Sequence, residues 1–487
     1  MSNKSFTLIA LILFCLIFSC KKSTTPDPVK PEETKINKTL LTGWWAPVEK
    51  NNARIYFGED NFFYQDTITK AGEKNVSAPI AGFWSLSGND IKCKQTPTGT
   101  DLKAFTVESL IAGKLIVKGG NTTISYSKVN LPAITSPAIT TIAGNGTIGY
   151  SGDGGLAVNA SLSGDIRGMV IDKAGNLYFC DYTNNVVRKI TTDGKISTVI
   201  GSGKKYEYGI ERKPYIDGSN ATSADILSPL DLALDADGNL YVSEDVSDYG
   251  RIDKITPDGK IYLVAGSKNP PSKDIGDGGL ATKATLSEPA GLAFDKQGNL
   301  YVADIRNYRI RKISSKTKII TTIAGNGNGE VISPIENALA TSTEIQPIFL
   351  SIDANDNIYY TDITRIGIRK ITASTGKITT ITNSSIKNSA NSGDGGLISN
   401  AYAGWPWGLC QANNGDIYFI TDFASLRKIS NATNIVTKVA GNGYSGYIGE
   451  GPHATAYSLQ EAYQVALDNS GNAYVSQPGR ISKISIN

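Results

Sequence analysis

Pro289-Ala290-Gly291-Leu292-Ala293-Phe294-Asp295, then Lys296-Gln297-Gly298-Asn299, then Leu300-Tyr301-Val302-Ala303-Asp304, is the clearest of six copies of one pattern running from residue 138 to the C-terminus. It continues through Asn307 and Arg309 to Ile310-Arg311-Lys312-Ile313 and ends at Thr321-Thr322-Ile323-Ala324-Gly325. The turn residue recurs at Asn176, Asn239, Asn299, Asn357, Asp416 and Asn472, 56 to 63 residues apart. A long fixed period of strand-turn-strand units marks a repeat architecture whose units bury their faces against neighbours.

Each unit reads as four strands. The first is small and apolar, as an inner strand crowded near an axis must be. The Asp-x-x-Gly-Asn turn tolerates positive φ and closes a tight hairpin. The second strand alternates. The third carries inward isoleucines and an Arg-Lys pair expected to face solvent, and Thr321 to Ala324 is the fourth. Six such units predict an all-β fold, a six-bladed β-propeller. Thr140 to Gly144 opens the array, and the last repeat stops after its third strand at Arg480-Ile481-Ser482-Lys483-Ile484. The first strand is therefore expected to complete the last blade and remove the open edges.

These residues resemble the NHL-repeat family over roughly 350 residues. The inserts Gly152 to Leu162 and Gly276 to Leu286 (Gly-Asp-Gly-Gly-Leu-Ala) are similar to a variant in bacterial surface proteins and teneurin-type ectodomains. Repeat four lacks Gly-Asp, and repeat six has Gly449-Glu450-Gly451-Pro452-His453-Ala454 instead.

Residues 1–19 read as a signal peptide, with an apolar run from Phe6 to Phe18 too short for a comfortable span. Leu16-Ile17-Phe18-Ser19-Cys20 resembles a bacterial lipobox, which implies cleavage before Cys20 and lipidation of its thiol. The implied location is the bacterial envelope, with the membrane leaflet left open. Residues 20–37, with Pro26, Pro28 and Pro31, read as a disordered tether. Cleavage removes one lysine from 48 basic residues against 45 acidic ones, so little net charge remains. That argues against a nucleic-acid partner, which needs clustered cations.

Residues 38–130 lack the repeat and are richer in aromatics. Seven strand-like runs (Gly43–Trp45, Arg54–Phe57, Asn61–Tyr64, Gly82–Leu86, Phe105–Val107, Lys114–Val117, Ile124–Tyr126) predict a small antiparallel barrel or meander. Their order resembles the short lipocalin-like domains of bacterial lipoproteins, which implies a core role for Trp44. Residues 131–137 are the linker and 138–487 the propeller.

The chain has one histidine, His453, too few for a multi-histidine zinc site. Cys180 and Cys410 take places held by alanine in repeat three and read as small core residues. Gly144 to Gly149 mimics a dinucleotide fingerprint, but no helix follows and it reads as a turn. Asp235 to Asn239 resembles a calcium loop and likewise reads as a hairpin. Acids end the second strand at Asp181, Asp245, Asp304, Asp362 and Asp422, with Gln477 in the sixth blade. They read as turn caps, and a ring of carboxylates binding Ca²⁺ is the weaker alternative.

Comparing repeats with one another locates a candidate ligand site. The place of Ala290, leading into the inner strand, holds Arg167, Leu230, Ile348, Trp407 and Tyr463; that of Glu288 holds Asp165, Ser228, Gln346, Trp405 and Glu461. Blades five, six and one, consecutive in a closed ring, thus collect Trp405, Trp407, Tyr463, Glu461, Arg167 and Asp165. Aromatic faces beside charged groups suit a glycan or a protein segment. The insert Lys204 to Ala224, with Tyr206, Tyr208, Arg212 and Tyr215, is a second candidate surface. The expected function is a ligand-binding or interaction module. The alternatives are a lyase or glycoside-active propeller using carboxylates or Ca²⁺, and a structural assembly part with its mouth plugged by Trp405 and Trp407.

Overall fold

The computed structural model describes the backbone of eight strands between Gly43 and Val129. From Pro137 to Ile486 it describes all residues except 205–214, 247–248, 268–274, 330–335, 363–366, 383–392, 403, 422–424, 443–453 and 460. The chain divides into two compact units, Met1–Ser136 and Pro137–Asn487. The signal peptide, Cys20, the tether, His453 and Asp422 lie outside the described residues, as do the side chains of the first unit, Trp44 among them.

In the first unit, Gly43–Pro47, Ala53–Phe57, Phe62–Thr67, Ile80–Ser87, Asp90–Lys94, Asp101–Ile111, Lys114–Gly119 and Thr122–Val129 pair in chain order, and the last pairs with the first. Six contain the expected runs in full, and Phe62–Thr67 holds the expected third run from Phe62 onward. The eighth, Asp90–Lys94, is short and mostly polar.

The second unit is a six-bladed propeller of antiparallel sheets. Its inner strands are Ile166–Ile171, Pro229–Leu234, Pro289–Phe294, Pro347–Ile352, Pro406–Gln411 and, shortest, Val465–Leu467. They lie side by side, and the sixth adjoins the first. The ring closes as expected: Ala138–Ala143 pairs with Arg480–Ser485 as the outer strand of blade six. The described residues hold no α-helix. Gly144 and Gly146 sit at φ 86° and 81°, so that glycine-rich stretch is a turn. Asp235 accepts the N–H groups of Asp237 and Asn239 and is a hairpin residue.

The Gly-Asp-Gly-Gly-Leu-Ala inserts are built into the blades. In blade one, Gly154 N–H donates to Ile196 and Ile196 N–H donates back to Gly155, at 2.8 and 3.0 Å. Equivalent bonds join Gly278 and Gly279 to Ile320, and Gly395 and Gly396 to Val436. Each insert lies along the outer strand of its blade and covers an edge that would otherwise be free to pair.

The third-strand arginines correct the sequence reading. Arg188, Arg311, Arg369 and Arg427 do not face solvent; they are among the largest fully buried side chains. Arg311 lies 3.2 Å from Asp304 on the second strand and 2.7 Å from Asp277 of the insert. Arg188 joins Asp181 and Asp153 at 3.6 and 2.6 Å, Arg369 joins Asp362 and Glu336 at 3.7 and 3.8 Å, and Arg427 reaches Asp394 at 2.8 Å. The lysine beside each does reach the surface: Lys312 lies over the Tyr301 ring at 5.2 Å.

The acids of the second strand need the same revision. Asp181, Asp304 and Asp362 accept the N–H groups of Ser163, Ser287 and Gln346, just before the inner strand. They are caps, but of a loop distant in sequence, and their outer oxygens face arginine instead of a metal. Strand register puts Glu244 and Thr421 in the equivalent places, so Asp245 and Asp422 are one residue beyond them. Among the described residues no group of three or more His, Cys, Asp or Glu is placed to hold a metal.

Blade two inverts the charge. Asp253 stands where blades one, three, four and five have arginine and blade six has Ser482, beside Glu244, and Arg251 approaches it to 3.1 Å. Tyr215, from the end of the long insert, donates to Asp253. Burial first, then Glu244, pushes the Asp253 carboxyl well above the usual range. Tyr206, Tyr208 and Arg212 lie outside the described residues.

Removing one member of a buried ion pair strands the other's charge. Arg311→Ala is expected to lower unfolding free energy by about 3–5 kcal/mol, read by urea denaturation. A loss below about 1 kcal/mol would mean the arginine does not brace the blade.

Candidate functional site

The inner strands begin at one face of the ring and run toward the other. One residue in from Arg167, Leu230, Ala290, Ile348, Trp407 and Tyr463 stand Gly168, Asp231, Gly291, Phe349, Gly408 and Gln464. Glycine and a larger residue alternate around the axis. A Cβ on Gly168 would lie 2.4 Å from the Asp231 Cα; on Gly291, 2.8 Å from the Phe349 Cα; on Gly408, 2.5 Å from the Gln464 Cα. Each glycine lets the next blade press in. Asp231, Phe349 and Gln464 are all buried and fill the axis. Asp231 accepts the Leu292 N–H at 2.9 Å and the Gln464 Nε2 at 3.5 Å, tying blades two, three and six. The mouth is a dish with a closed floor. Of the two tryptophans, Trp405 is 45% exposed and Trp407 packs against the rim cluster.

The rim is unequal. Leu230, Ala290 and Ile348 are buried in one apolar cluster with Ile305, and Tyr182 and Trp407 pack against it. Blades five, six and one are more open. Trp407 meets Tyr463 edge to face, centroids 5.8 Å apart at 90°. Asp165 grips Arg167 through Nε at 3.1 Å and Nη2 at 2.9 Å, and the guanidinium stacks 4.0 Å above the Tyr182 ring. Burial is the largest influence on Arg167 and acts to lower its pKa, but the bond and charge of Asp165 raise it overall. Burial, then Asp165 and Glu461, pushes the Tyr463 phenol up, so it stays a hydrogen-bond donor. The structure thus brings Arg167, Asp165, Tyr463 and Trp407 together, with Glu461 exposed beside them.

Ser228, Glu288 and Glu461 occupy equivalent rim positions at φ 46°, 52° and 52°. Left-handed backbone at non-glycine residues costs on the order of 1 kcal/mol each and is concentrated at functional sites.

Four rim residues were not singled out from sequence: Tyr182, Glu288, Arg306 and, in this role, Asp245. Asp245 N–H bonds the Ser228 carbonyl at 3.4 Å, just as Ile305 N–H bonds Glu288 and Tyr182 N–H bonds Asp165. It therefore stands at the mouth, one residue outside the buried acids. Burial, then Glu288, raises its pKa, while Arg306 and Arg167 oppose the rise. Glu288 pairs with Arg306 at 2.7 Å. The doubled acid Glu244-Asp245 was the available signal, since no other blade carries two there.

The model of the Teneurin NHL domain matches residues 145–215 and 264–346. The propeller carries NHL repeats. The chain is 29% identical to Teneurin-3 of Mus musculus over 256 residues (39% of this chain, 9% of that protein). To Teneurin-1 of Homo sapiens it is 27% identical over 304 residues (47% and 11%). It thus spans only about a tenth of the curated relatives it matches. Among solved structures, a structural genomics protein of unknown function from Bacteroides thetaiotaomicron is 16% identical at TM-score 0.49 (95% of this chain, 100% of that one). An auxiliary nutrient binding protein from the same organism is 13% identical at TM-score 0.49 (81% and 93%). At these values neither says what the mouth of this NHL propeller holds.

Burial lifts the Asp231 carboxyl to about 7, against about 3.9 in an unfolded chain. Between those values the folded propeller holds the extra proton, so stability falls as pH rises from about 4 through about 7 and then levels. Asp231→Asn is expected to remove up to about 4 kcal/mol of that fall, measured as the difference in unfolding free energy between pH 4 and pH 8. An identical pH slope in both proteins would refute the axial role of this carboxyl.

Proposed function

We propose that this chain is an exported, lipid-anchored bacterial protein whose NHL propeller binds a glycan at the mouth of blades five, six and one. The observation that supports this reading most is the prearranged group of Arg167, Asp165 and Tyr182 beside the Trp407–Tyr463 pair, with Trp405 exposed two residues before Trp407. Aromatic faces stack on the C–H faces of a sugar ring, while a fixed carboxylate and guanidinium accept from and donate to its hydroxyls. The closed axial floor restricts a ligand to one face. A protein segment is the competing occupant, and Ca²⁺ is the only cofactor the reading admits.

In this reading cleavage before Cys20 leaves an acylated N-terminus, the tether spaces the two units from the membrane, and the barrel is lipocalin-like. Each buried methylene of an acyl chain contributes roughly 0.8 kcal/mol to anchoring. Cys20→Ala is expected to move the protein from the membrane to the soluble fraction and to abolish incorporation of labelled palmitate. Continued labelling would remove the lipoprotein reading.

A second reading rests on Asp245, a mouth carboxyl raised by its surroundings and facing Glu288. Two carboxyl groups flanking a glycosidic bond suffice for glycoside chemistry. A glycan array and thermal-shift screen on the chain from residue 21, with and without Ca²⁺, separates the readings. Binding that falls at least tenfold in Trp405→Ala/Trp407→Ala, with the glycan intact, fits a binding module. Cleavage of the bound glycan that stops in Asp245→Asn fits the enzyme. Binding unchanged by the double substitution would move the site elsewhere.

A further inference from the structure

Blade five lacks a side chain that four of its siblings use in the same way. In blades one, three, four and six the inner strand ends on Asp172, Asp295, Asp353 and Asp468. One oxygen of each accepts hairpin N–H groups, as Asp295 does from Gln297 and Asn299. The other accepts a tyrosine hydroxyl: Tyr178 at 3.3 Å, Tyr301 at 3.2 Å, Tyr359 at 3.4 Å and Tyr474 at 3.2 Å. In each of these blades a lysine lies over the tyrosine ring, at 5.2 to 5.5 Å.

In blade five the aspartate is Ala412, yet the tyrosine and lysine remain as Tyr418 and Lys428, in the same strand register. Tyr418 is only 5% exposed; its hydroxyl bonds none of the described residues and borders an open cleft. The acid of this hairpin has moved to Asp416, which takes Lys428 at 3.5 Å and the Asn431 N–H at 2.9 Å but does not bond Tyr418. Where the missing carboxylate would stand, a cleft of about 420 Å³ opens between the hairpins of blades five and six. Ala412, Asn414, Asp416, Tyr418 and Lys428 line one side, and Asp468 and Ser470 the other. It lies at the opposite ends of the inner strands from the mouth.

We infer that this cleft is a second binding site, for a single neutral sugar ring. The volume suits one ring. Charge excludes a stronger anion preference, because Asp416 is balanced by Lys428 and Asp468 by Lys483, at 3.5 and 3.7 Å. A ligand carboxylate would add an uncompensated charge next to two acids. A sugar hydroxyl or ring oxygen instead gives the Tyr418 hydroxyl the acceptor that aspartate supplies in its siblings. Asp416, Asn414 and Ser470 can serve the remaining hydroxyls. A site that offers a fixed tyrosine hydroxyl discriminates against ligands that lack the matching acceptor.

The test is saturation-transfer NMR on the chain from residue 21 with six neutral monosaccharides, and with glucuronate as the charged comparison. At least one neutral sugar is expected to give a signal that survives Trp405→Ala/Trp407→Ala. Ala412→Asp restores the side chain of the four siblings, gives the Tyr418 hydroxyl an internal acceptor and is expected to abolish that signal. Tyr418→Phe, which fills nothing, is expected to weaken it at least threefold and stands in if Ala412→Asp fails to fold. No signal from any neutral sugar, a signal indifferent to both substitutions, or tighter binding of glucuronate would each overturn the inference. Loss of the signal in the tryptophan variant would assign it to the mouth and also overturn it.

Discussion

An arginine closed between two acids holds the blades in their observed form. In blades one, three and four it links the second strand, the third strand and the insert that arrives from the preceding blade. A buried ion pair is a weak source of net stability, because desolvation opposes the attraction. What it supplies is specificity: the insert's acid has one cation to reach, so the insert can lie only along one edge. That placement covers the outer strand, and the same arginine holds the acid that caps the entry to the inner strand. Edge, sheet and mouth loop are thus coupled through one guanidinium. Blade two meets the constraint with opposite signs, and its tyrosine clamp from the long insert follows from that inversion.

The blade count, the four-strand unit and the closure were legible because they depend on period and on apolar alternation, both local signals. The fate of Arg311 was not. Arg-Lys on an alternating strand looks like one solvated stripe, and only the partners decide which of the two faces inward. Those partners, Asp277 and Asp304, are 34 and 7 residues away. The acid register failed for a related reason. Blade two extends its second strand by two residues, to Leu240–Val246, so counting to the last acid selects Asp245 where pairing selects Glu244. In the first unit the Asp90–Lys94 strand was hidden by its polar composition.

Comparing repeats proved more informative at the mouth than any single motif. Positions that must be small or apolar in three blades are Trp407, Tyr463 and Arg167 in the other three, and these are the partly exposed ones. Sequence could not show that the next layer alternates glycine with Asp231, Phe349 and Gln464 across the axis. That arrangement depends on backbones from adjacent blades approaching closer than a Cβ allows. It turns a ring of six strands into a dish with a floor. The rim residues Asp245 and Glu288 belong to the same dish, although they stand on blades that sequence comparison had set aside.

The pairing of Ala138–Ala143 with Arg480–Ser485 also governs when the fold can form. The two strands of this contact are separated by nearly the whole length of the propeller. Loop closure over such a distance is entropically slow, and contacts of this kind delay folding. During synthesis the first strand of the propeller has no partner until the last strands have been made. Five blades can assemble on their own four strands, but the sixth and the ring must wait. Until then two sheet edges stay open to other chains, so the interval between the first blade and the last is when this protein is most exposed to aggregation.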